Sequence, residues 1–371
     1  MVFAAAFDGT ESLAGGYGRG GSGGSASGPS DESYLRFPTR PNPRPVSFPI
    51  SYADVLAARD RLRPYLTPTP LREYGQLNEL VGHGIRVWVK HENHHPTQSF
   101  KIRNGLAAVS ALTAEERARG AIGASTGNHG QGVAYAGRLL GVPVAICVPL
   151  GNNPEKNAAI RALGAECIEV GANYDATVSS CAKIRDERGM TLMHSTNNPH
   201  VIAGAGTMTL EIIEQEPSLD AIVIALGGGS QSVGALTVLR ERAPNVAVYA
   251  VGASGAPAQY ESWRRGERLT NQPIDTFAEG IATGSAYELT FGALREGLAG
   301  FVTVSDAEMY AAVRDLIRIT HNVPEGAGAA GLAGLRHLAP QLAGKRVAIV
   351  MCGGNLSMAA LRKALEGPGP A

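Results

Sequence analysis

Short stretches rich in β-branched residues alternate with helix-like stretches from Ser51 onward, and this alternation limits the fold more than any other feature. Strand composition is found in seven stretches, at residues 85–90, 120–125, 142–148, 166–170, 221–226, 246–251 and 346–351. Amphipathic segments separate most of them. Alternation of this kind is typical of parallel sheets whose strands are joined by helices. The sequence therefore predicts an α/β fold with parallel sheets and helices on both faces.

One lysine lies at the junction between the strand 85–90 and the helix that follows it. Lys101 comes directly after Phe100 and begins a segment with apolar residues at helical spacing, namely Ile102, Leu106, Val109 and Leu112. The helix dipole and the apolar neighbour both disfavour a charged ammonium, so the amine is a better nucleophile. An isolated lysine of this kind is more often a solvated helix residue. Three loops further along the chain favour the interpretation of Lys101 as a nucleophile.

Each of these three loops follows a predicted strand. They are Ser125-Thr126-Gly127-Asn128-His129-Gly130-Gln131-Gly132, Gly227-Gly228-Gly229-Ser230 and Cys352-Gly353-Gly354-Asn355. The first two open helices, where backbone N–H groups bind anions, and three glycines allow a phosphate to approach closely. No GKS or GKT sequence follows, so the second loop is not a nucleotide P-loop. Ligands of parallel sheets bind at the carboxyl ends of strands, so we expect one shared site.

Two other motif matches have a structural explanation. His91-Glu92-Asn93-His94-His95 fits HExxH, but a zinc peptidase needs these histidines on a helix, and here they follow a strand and precede Pro96. Gly326-Ala327-Gly328-Ala329-Ala330-Gly331 fits GxGxxG, but it follows Pro324-Glu325 instead of a strand. Close helix packing explains these small residues better than a dinucleotide site.

Composition excludes some partners and indicates a compartment. Lys plus Arg and Asp plus Glu both number 33, so no net field attracts nucleic acid or an anionic membrane. No apolar run reaches the roughly 18 residues of a membrane span. The four cysteines form no CxxC pair, which favours reduced thiols and a cytoplasmic protein. Charged residues make up 18% of the chain, which indicates surface buried in an oligomer.

Residues 1–45 differ in composition from the rest. Nine glycines fall within the first 30 positions, and Pro41-Asn42-Pro43-Arg44-Pro45 closes the segment. This composition predicts a disordered leader rich in glycine, serine and proline. The apolar start is interrupted at Asp8, which argues against a secretory signal.

Five motifs, in chain order, resemble the pyridoxal-phosphate enzymes of the threonine dehydratase and serine racemase family. They are Ser99-Phe100-Lys101, the loop 125–129, the three glycines 227–229, Glu279-Gly280-Ile281-Ala282 and the loop 352–355. The resemblance implies the tryptophan synthase β-like fold, fold type II, with pyridoxal 5'-phosphate in a cleft, and a homodimer. It implies a large cofactor-binding domain at 46–115 and 198–368 and a small inserted domain at 116–197.

The resemblance also implies roles for individual residues. Lys101 would be the catalytic lysine that bonds covalently to the cofactor, Phe100 would pack beside the ring, and Asn128 would bond its phenolic oxygen. Gly227, Gly228, Gly229 and Ser230 would bind the phosphate. Ser125, Thr126, Gly127 and His129 would surround the substrate carboxylate. Glu325 and Cys352 would lie along the edge of the ring that carries its nitrogen.

The implied reaction is β-elimination from a 3-hydroxy amino acid such as L-threonine or L-serine, giving a 2-oxo acid and ammonia. A racemase, an ammonia-lyase for another β-substituted amino acid and a β-replacement synthase remain alternatives, as does a catalytically silent cofactor-binding protein. Departures from the family at Gln98, Thr126 and Ser230-Gln231 leave the substrate open. Gly252 stands where related enzymes often carry an acidic metal ligand, so we expect no metal site.

Overall fold

The computed structural model describes residues 48–367, and the predicted leader at 1–45 lies outside them. The described residues form fourteen α-helices: α1 (Tyr52–Leu62), α2 (Gly75–Val81), α3 (Lys101–Ser110), α4 (Ala114–Arg119), α5 (Asn128–Leu140), α6 (Pro154–Ala162), α7 (Tyr174–Arg188), α8 (Pro199–Gln215), α9 (Ser230–Arg242), α10 (Ala258–Arg265), α11 (Glu288–Gly297), α12 (Asp306–Thr320), α13 (Gly326–Leu338) and α14 (Met358–Leu365). Ten strands accompany them: β1 (Leu71–Glu73), β2 (Arg86–His91), β3 (Ala121–Ala124), β4 (Val144–Val148), β5 (Glu166–Glu169), β6 (Thr191–Leu192), β7 (Ala221–Ala225), β8 (Ala247–Ala253), β9 (Gly300–Val304) and β10 (Arg346–Met351).

The strands form two sheets. The larger has the order β1-β2-β10-β7-β8-β9, and the smaller has the order β5-β4-β3-β6. All neighbouring strands run parallel except β1 and β2, which are antiparallel. The predicted parallel α/β fold is therefore confirmed, with one antiparallel strand at an edge.

All seven predicted strands are present, and no end differs from the prediction by more than two residues. The sequence analysis did not find β1, β6 and β9. Strands β1 and β6 contain only three and two residues, and so short a stretch cannot show the alternation of apolar and polar residues that indicates a strand. The sequences Thr113-Ala114-Glu115-Glu116 and Ser305-Asp306-Ala307-Glu308 have the pattern of a capping box, and capping boxes begin α4 and α12. In each, the Ser or Thr side chain accepts a hydrogen bond from the backbone N–H three residues later.

Helices α3 and α5 cross where both carry a glycine. A Cβ built on Gly132 would overlap the backbone of Lys101 and lie 2.7 Å from its carbonyl carbon. A Cβ on Gly105 would lie 2.8 Å from the backbone nitrogen of Val133. Helix α8 approaches α3 in the same way, because a Cβ on Gly204 would lie 2.5 Å from the carbonyl oxygen of Arg103. The helix that begins with Lys101 is therefore packed backbone to backbone against two others.

A buried ionic cluster joins α3 to α8 and to the segment after β2. The Arg103 guanidinium donates to Glu92 at 2.7 Å and to Glu211 at 2.6 Å, and Lys90 Nζ donates to Glu211 at 2.7 Å. Burial opposes ionisation of Glu92, but Arg103 and His95 hold its pKa well below its usual range. Two cations and two carboxylates balance here, which a buried cluster of charges requires.

The two dismissed motifs have structural roles. Glu92–His94 forms a short 3₁₀ turn, and the Glu92 carboxylate is bonded to Arg103, so HExxH does not lie on a helix. Gly326 begins α13, and a Cβ on Gly328 would overlap the carbonyl oxygen of Gly353. The glycines of the GxGxxG match therefore allow close packing, as the sequence analysis expected.

We expect Gly132→Ala to lower the free energy of unfolding by about 3 kcal/mol, because the added methyl group overlaps backbone that cannot rotate away. Gly75→Ala is the matched control, since nothing lies within 4 Å of its Cβ position at the start of α2. That variant should change stability by less than about 1 kcal/mol. Chemical denaturation measures both, and equal stabilities for the two variants would contradict the close crossing.

Candidate active site

A cavity of about 450 Å³ lies beside Lys101, between loops that extend from both sheets. All thirteen predicted site residues line it: Phe100, Lys101, Ser125, Thr126, Gly127, Asn128, His129, Gly227, Gly228, Gly229, Ser230, Glu325 and Cys352. Their numbers span most of the chain, so the fold brings together what the sequence analysis assigned to one site. The individual roles remain predictions.

Lys101 is the first residue of α3, and its Nζ lies 4.9 Å from the centre of the Phe100 ring. Burial lowers the pKa of Lys101 from 10.5 to about 8, although Cys352 and Glu325 oppose this shift. The sequence argument relied on the helix dipole and on Phe100, whereas burial is the main cause. About a fifth of the amine is therefore neutral at about pH 7.4, whereas almost none would be at the ordinary pKa.

The segment before Lys101 is tied to the loop after β10. Ser99 forms a β-bridge with Gly353, and the backbone N–H of Phe100 donates to the carbonyl of Cys352 at 3.0 Å. Gln98 has φ of 53°, in the left-handed region that favours glycine. Glycine would adopt this conformation without steric cost, whereas Gln98, one of the departures from the family, does not.

The loop Gly227–Gly229 leads from β7 into α9, and the structure requires glycine there. A Cβ on Gly228 would lie 2.9 Å from Cβ of Thr196, and one on Gly227 would lie 2.6 Å from the carbonyl oxygen of Gly280. Gly229 has φ of 96°, and no side chain caps the N-terminus of α9. The first N–H groups of an α-helix have no partner within the helix, so this turn can bind a phosphate.

The loop Ser125–His129 leads from β3 into α5. The Ser125 hydroxyl accepts hydrogen bonds from the N–H groups of Gly127, at 3.2 Å, and Gly130, at 2.9 Å, which fixes the turn. His129 Nε2 lies 2.7 Å from the carbonyl oxygen of Met193, so this nitrogen carries the proton. Burial lowers the pKa of His129 to about 3. Its buried Nδ1, which has no partner among the described residues, can accept a hydrogen bond but offers no donor to a carboxylate.

Three side chains form a chain of hydrogen bonds along one wall. Asn128 Nδ2 donates to Glu325 Oε1 at 2.7 Å, and Asn355 Nδ2 donates to Asn128 Oδ1 at 2.8 Å. Burial raises the pKa of Glu325, against the opposing effects of Lys156 and Asn128. Burial also raises the pKa of the nearby Cys352 thiol, which is neutral at pH 7. The sequence analysis quoted Asn355 but gave it no role.

The sequence analysis missed a salt bridge in the cavity wall. Lys156 on α6 donates to Glu279 Oε2 at 2.6 Å, and the two residues lie 123 positions apart. Glu279 belongs to a motif quoted for the family resemblance, but nothing in the sequence around Lys156 distinguishes it from a surface lysine. Within residues 48–367, no group of three or more His, Cys, Asp or Glu side chains could hold a metal ion. No helix in this range is long and apolar enough to span a membrane.

Comparison with known proteins identifies the group to which this site belongs. The family model for pyridoxal-phosphate dependent enzymes matches residues 62–353. The chain belongs to this family. Pyridoxal phosphate is therefore its cofactor, and the fold is fold type II.

Several named proteins are similar to this member of the family. The L-threonine ammonia-lyase of Thermotoga maritima is 35% identical over 311 residues, which cover 83% of this chain and 76% of that protein. The biosynthetic L-threonine dehydratase IlvA of Haemophilus influenzae is 34% identical over 300 residues, 80% of this chain but only 58% of that protein. The L-threo-3-hydroxyaspartate ammonia-lyase of a Pseudomonas species is 33% identical, with coverages of 85% and 99%.

Solved structures of enzymes with similar names have a fold similar to that of this chain. The processed form of threonine deaminase isoform 2 from Solanum lycopersicum has a TM-score of 0.80 and 30% identity, covering 85% of this chain and 91% of that one. Maize serine racemase has a TM-score of 0.81 and 25% identity, with coverages of 86% and 97%.

The residues of the cavity fit the cofactor. The turn at 227–229 has no room for side chains at 227 or 228, because a Cβ there would clash with Gly280 or Thr196. The backbone of the turn is therefore bare, and no side chain caps the N-terminus of α9. Lys101 would supply a buried amine of lowered pKa for covalent attachment, and Cys352 would supply a neutral thiol. When bound, pyridoxal phosphate withdraws electrons from the α-carbon of an attached amino acid.

The pKa of Lys101 predicts how the apoprotein takes up the cofactor, because only a neutral amine attacks the aldehyde. With a pKa of about 8, the neutral fraction rises with pH and levels off above that value. The uptake rate should therefore rise about tenfold per pH unit well below pH 8 and become constant above it. Stopped-flow absorbance measures this rate, and a midpoint near the ordinary value of about 10 would contradict the shift.

A matched variant tests the effect of Glu325, which opposes the shift. The charge on Glu325 raises the pKa of Lys101, so Glu325→Gln should move the midpoint to lower pH. An unchanged midpoint in this variant would show that Glu325 carries no charge in the apoprotein.

Proposed function

We propose that this protein catalyses β-elimination from a 3-hydroxy amino acid such as L-threonine or L-serine, releasing a 2-oxo acid and ammonia. One observation carries the proposal: Lys101, with its lowered pKa, lines a cavity between an uncapped helix start and the loop Ser125–His129. The 35% identity to an L-threonine ammonia-lyase supports the same reaction.

The chain's own residues divide the work of this reaction. The loop Ser125–Gly127 holds the substrate carboxylate, and the N-terminus of α9 holds the phosphate of the cofactor. The neutral amine of Lys101 takes the proton from the α-carbon, which as general base catalysis is worth about 10²–10⁴-fold in rate. The Phe100 ring, whose centre lies 4.9 Å from Lys101 Nζ, is part of the apolar surface around this amine, and burial lowers its pKa to about 8.

The wall beside the cofactor also has a proposed role. Asn128 is held in place by Glu325 and Asn355, so its amide can bond the phenolic oxygen in a fixed orientation. The neutral thiol of Cys352 leaves the ring nitrogen without a proton. This weakens electron withdrawal and favours prompt loss of the β-hydroxyl over racemisation or transamination.

We also propose the organisation of the protein. The four strands of the smaller sheet all come from residues 121–192, which supports an inserted domain at 116–197 between two parts of a larger one. All four cysteines are free thiols, which supports a cytoplasmic location. The low charged fraction of 18% supports a homodimer.

The test compares Lys101→Ala with Lys183→Ala, which replaces an exposed lysine on α7. Release of oxo acid is measured from L-threonine, L-serine, threo-3-hydroxyaspartate and 3-phenylserine. We expect threonine or serine to be the best substrate, the first variant to lose at least about 10³-fold in kcat, and the control to keep its activity.

Two outcomes would contradict this proposal. The first is full oxo-acid release by Lys101→Ala, which would remove the lysine from the reaction. The second is conversion of L-serine to D-serine without oxo acid, which chiral chromatography detects and which would favour a racemase.

A further inference from the structure

We propose that Lys156 is a second binding group for the α-carboxylate of the substrate, and that Glu279 occupies it until the substrate arrives. This inference rests on the proposed function, because it concerns an amino-acid substrate in the same cavity. It adds to the proposed carboxylate site a residue that lies outside the loop Ser125–His129, on α6.

The position of Lys156 supports this role. A Cβ built on Gly127 would lie 3.1 Å from Cδ and 3.5 Å from Nζ of Lys156, so the ammonium lies against the backbone of the carboxylate loop. Both residues line the cavity that contains Lys101. An ammonium beside a loop that opens a helix adds a full charge to the partial positive charge of the helix N-terminus.

The charged residues that line the cavity leave few alternatives to Lys156 as the partner of a substrate carboxylate. The charged side-chain types on its wall are Lys101, Lys156, Glu279 and Glu325. Lys101 must be neutral to act as a base, and His129 is neutral because burial lowers its pKa to about 3. Lys156 is therefore the cation among the lining residues that can balance a substrate carboxylate.

The salt bridge is built so that Glu279 can leave. The Glu279 side chain is 47% exposed, whereas that of Lys156 is 10% exposed. Released into water, Glu279 regains hydration at little cost, because nearly half of its side chain is already exposed. Lys156, largely buried, would lose far more without a partner. A carboxylate bound on the loop at Gly127 can therefore replace Glu279 as the partner of Lys156.

A purely structural role for this salt bridge makes a different prediction. Lys156 belongs to the helix between β4 and β5 of the smaller sheet, and Glu279 lies between β8 and β9 of the larger sheet. The bridge could hold the two sides of the cavity together. Loss of either partner would then weaken substrate binding. If Lys156 binds the carboxylate, loss of Lys156 weakens substrate binding, whereas loss of Glu279 strengthens it.

The experiment uses the holoenzyme and three variants, Lys156→Met, Lys156→Arg and Glu279→Gln. Calorimetry measures the Kd of L-alanine, which has no leaving group at its β-carbon, and of L-alaninamide, which has no carboxylate. Steady-state kinetics with the best 3-hydroxy amino acid gives KM and kcat for the same proteins.

We expect Lys156→Met to weaken L-alanine binding roughly 10- to 100-fold, the usual effect of losing a charged hydrogen bond, and to raise KM more than it lowers kcat. Glu279→Gln should tighten L-alanine binding by about 3- to 10-fold, because the competing carboxylate is gone. Lys156→Arg, which keeps the charge, should bind L-alanine at least about tenfold better than Lys156→Met. L-Alaninamide binding should change less than about twofold in all three.

The proposal is overturned if Lys156→Met and Glu279→Gln both weaken L-alanine binding, which is the result for a structural bridge. It is also overturned if L-alaninamide loses as much affinity as L-alanine in Lys156→Met. Failure of the proposed elimination reaction is distinguishable, since it would show as absent oxo acid in the unmodified enzyme whatever the pattern of L-alanine binding.

Discussion

The close crossing of α3 and α5 is the constraint on which the active site depends. Helix α3 begins with Lys101, and α5 begins directly after the loop Ser125–Gly127. Because glycines at 105 and 132 bring the two backbones into contact, the lysine and the loop are held at a fixed separation without any intervening side chain. Small residues at a helix crossing here set the geometry of a catalytic site, and they lie outside the cavity itself.

Burial then sets the chemistry of the groups that this crossing positions. Lys101, His129, Glu325 and Cys352 share one wall, and in each case burial shifts the pKa toward the neutral form. The charges needed for stability are kept elsewhere, in the cluster of Arg103, Glu92, Glu211 and Lys90 that joins α3 to α8. The buried charges of this cluster hold the helix, and burial beside the cavity lowers the pKa of Lys101, so its amine is available as a base.

The cavity lies between loops of two sheets, and the two sides contact each other through polar groups. Asn128 meets Glu325, and Lys156 meets Glu279, in both cases between a helix of the smaller sheet and a segment of the larger one. The first contact uses the buried Glu325, whereas the second uses Glu279, which is 47% exposed and can exchange its partner. This difference separates a group that orients the cofactor from one that we assign to substrate binding.

The sequence by itself determined the α/β alternation, the place of Lys101 in the first turn of a helix, two capping boxes and thirteen of the residues that line the cavity. These are encoded in local periods, caps and short motifs, and family resemblance linked motifs that lie far apart. Only the tertiary structure decided that His129 is a neutral acceptor, that Gln98 is left-handed and that Lys156 pairs with Glu279. The physical reason is that burial and partner choice depend on residues distant in sequence, and no local pattern near Lys156 records a carboxylate 123 positions away.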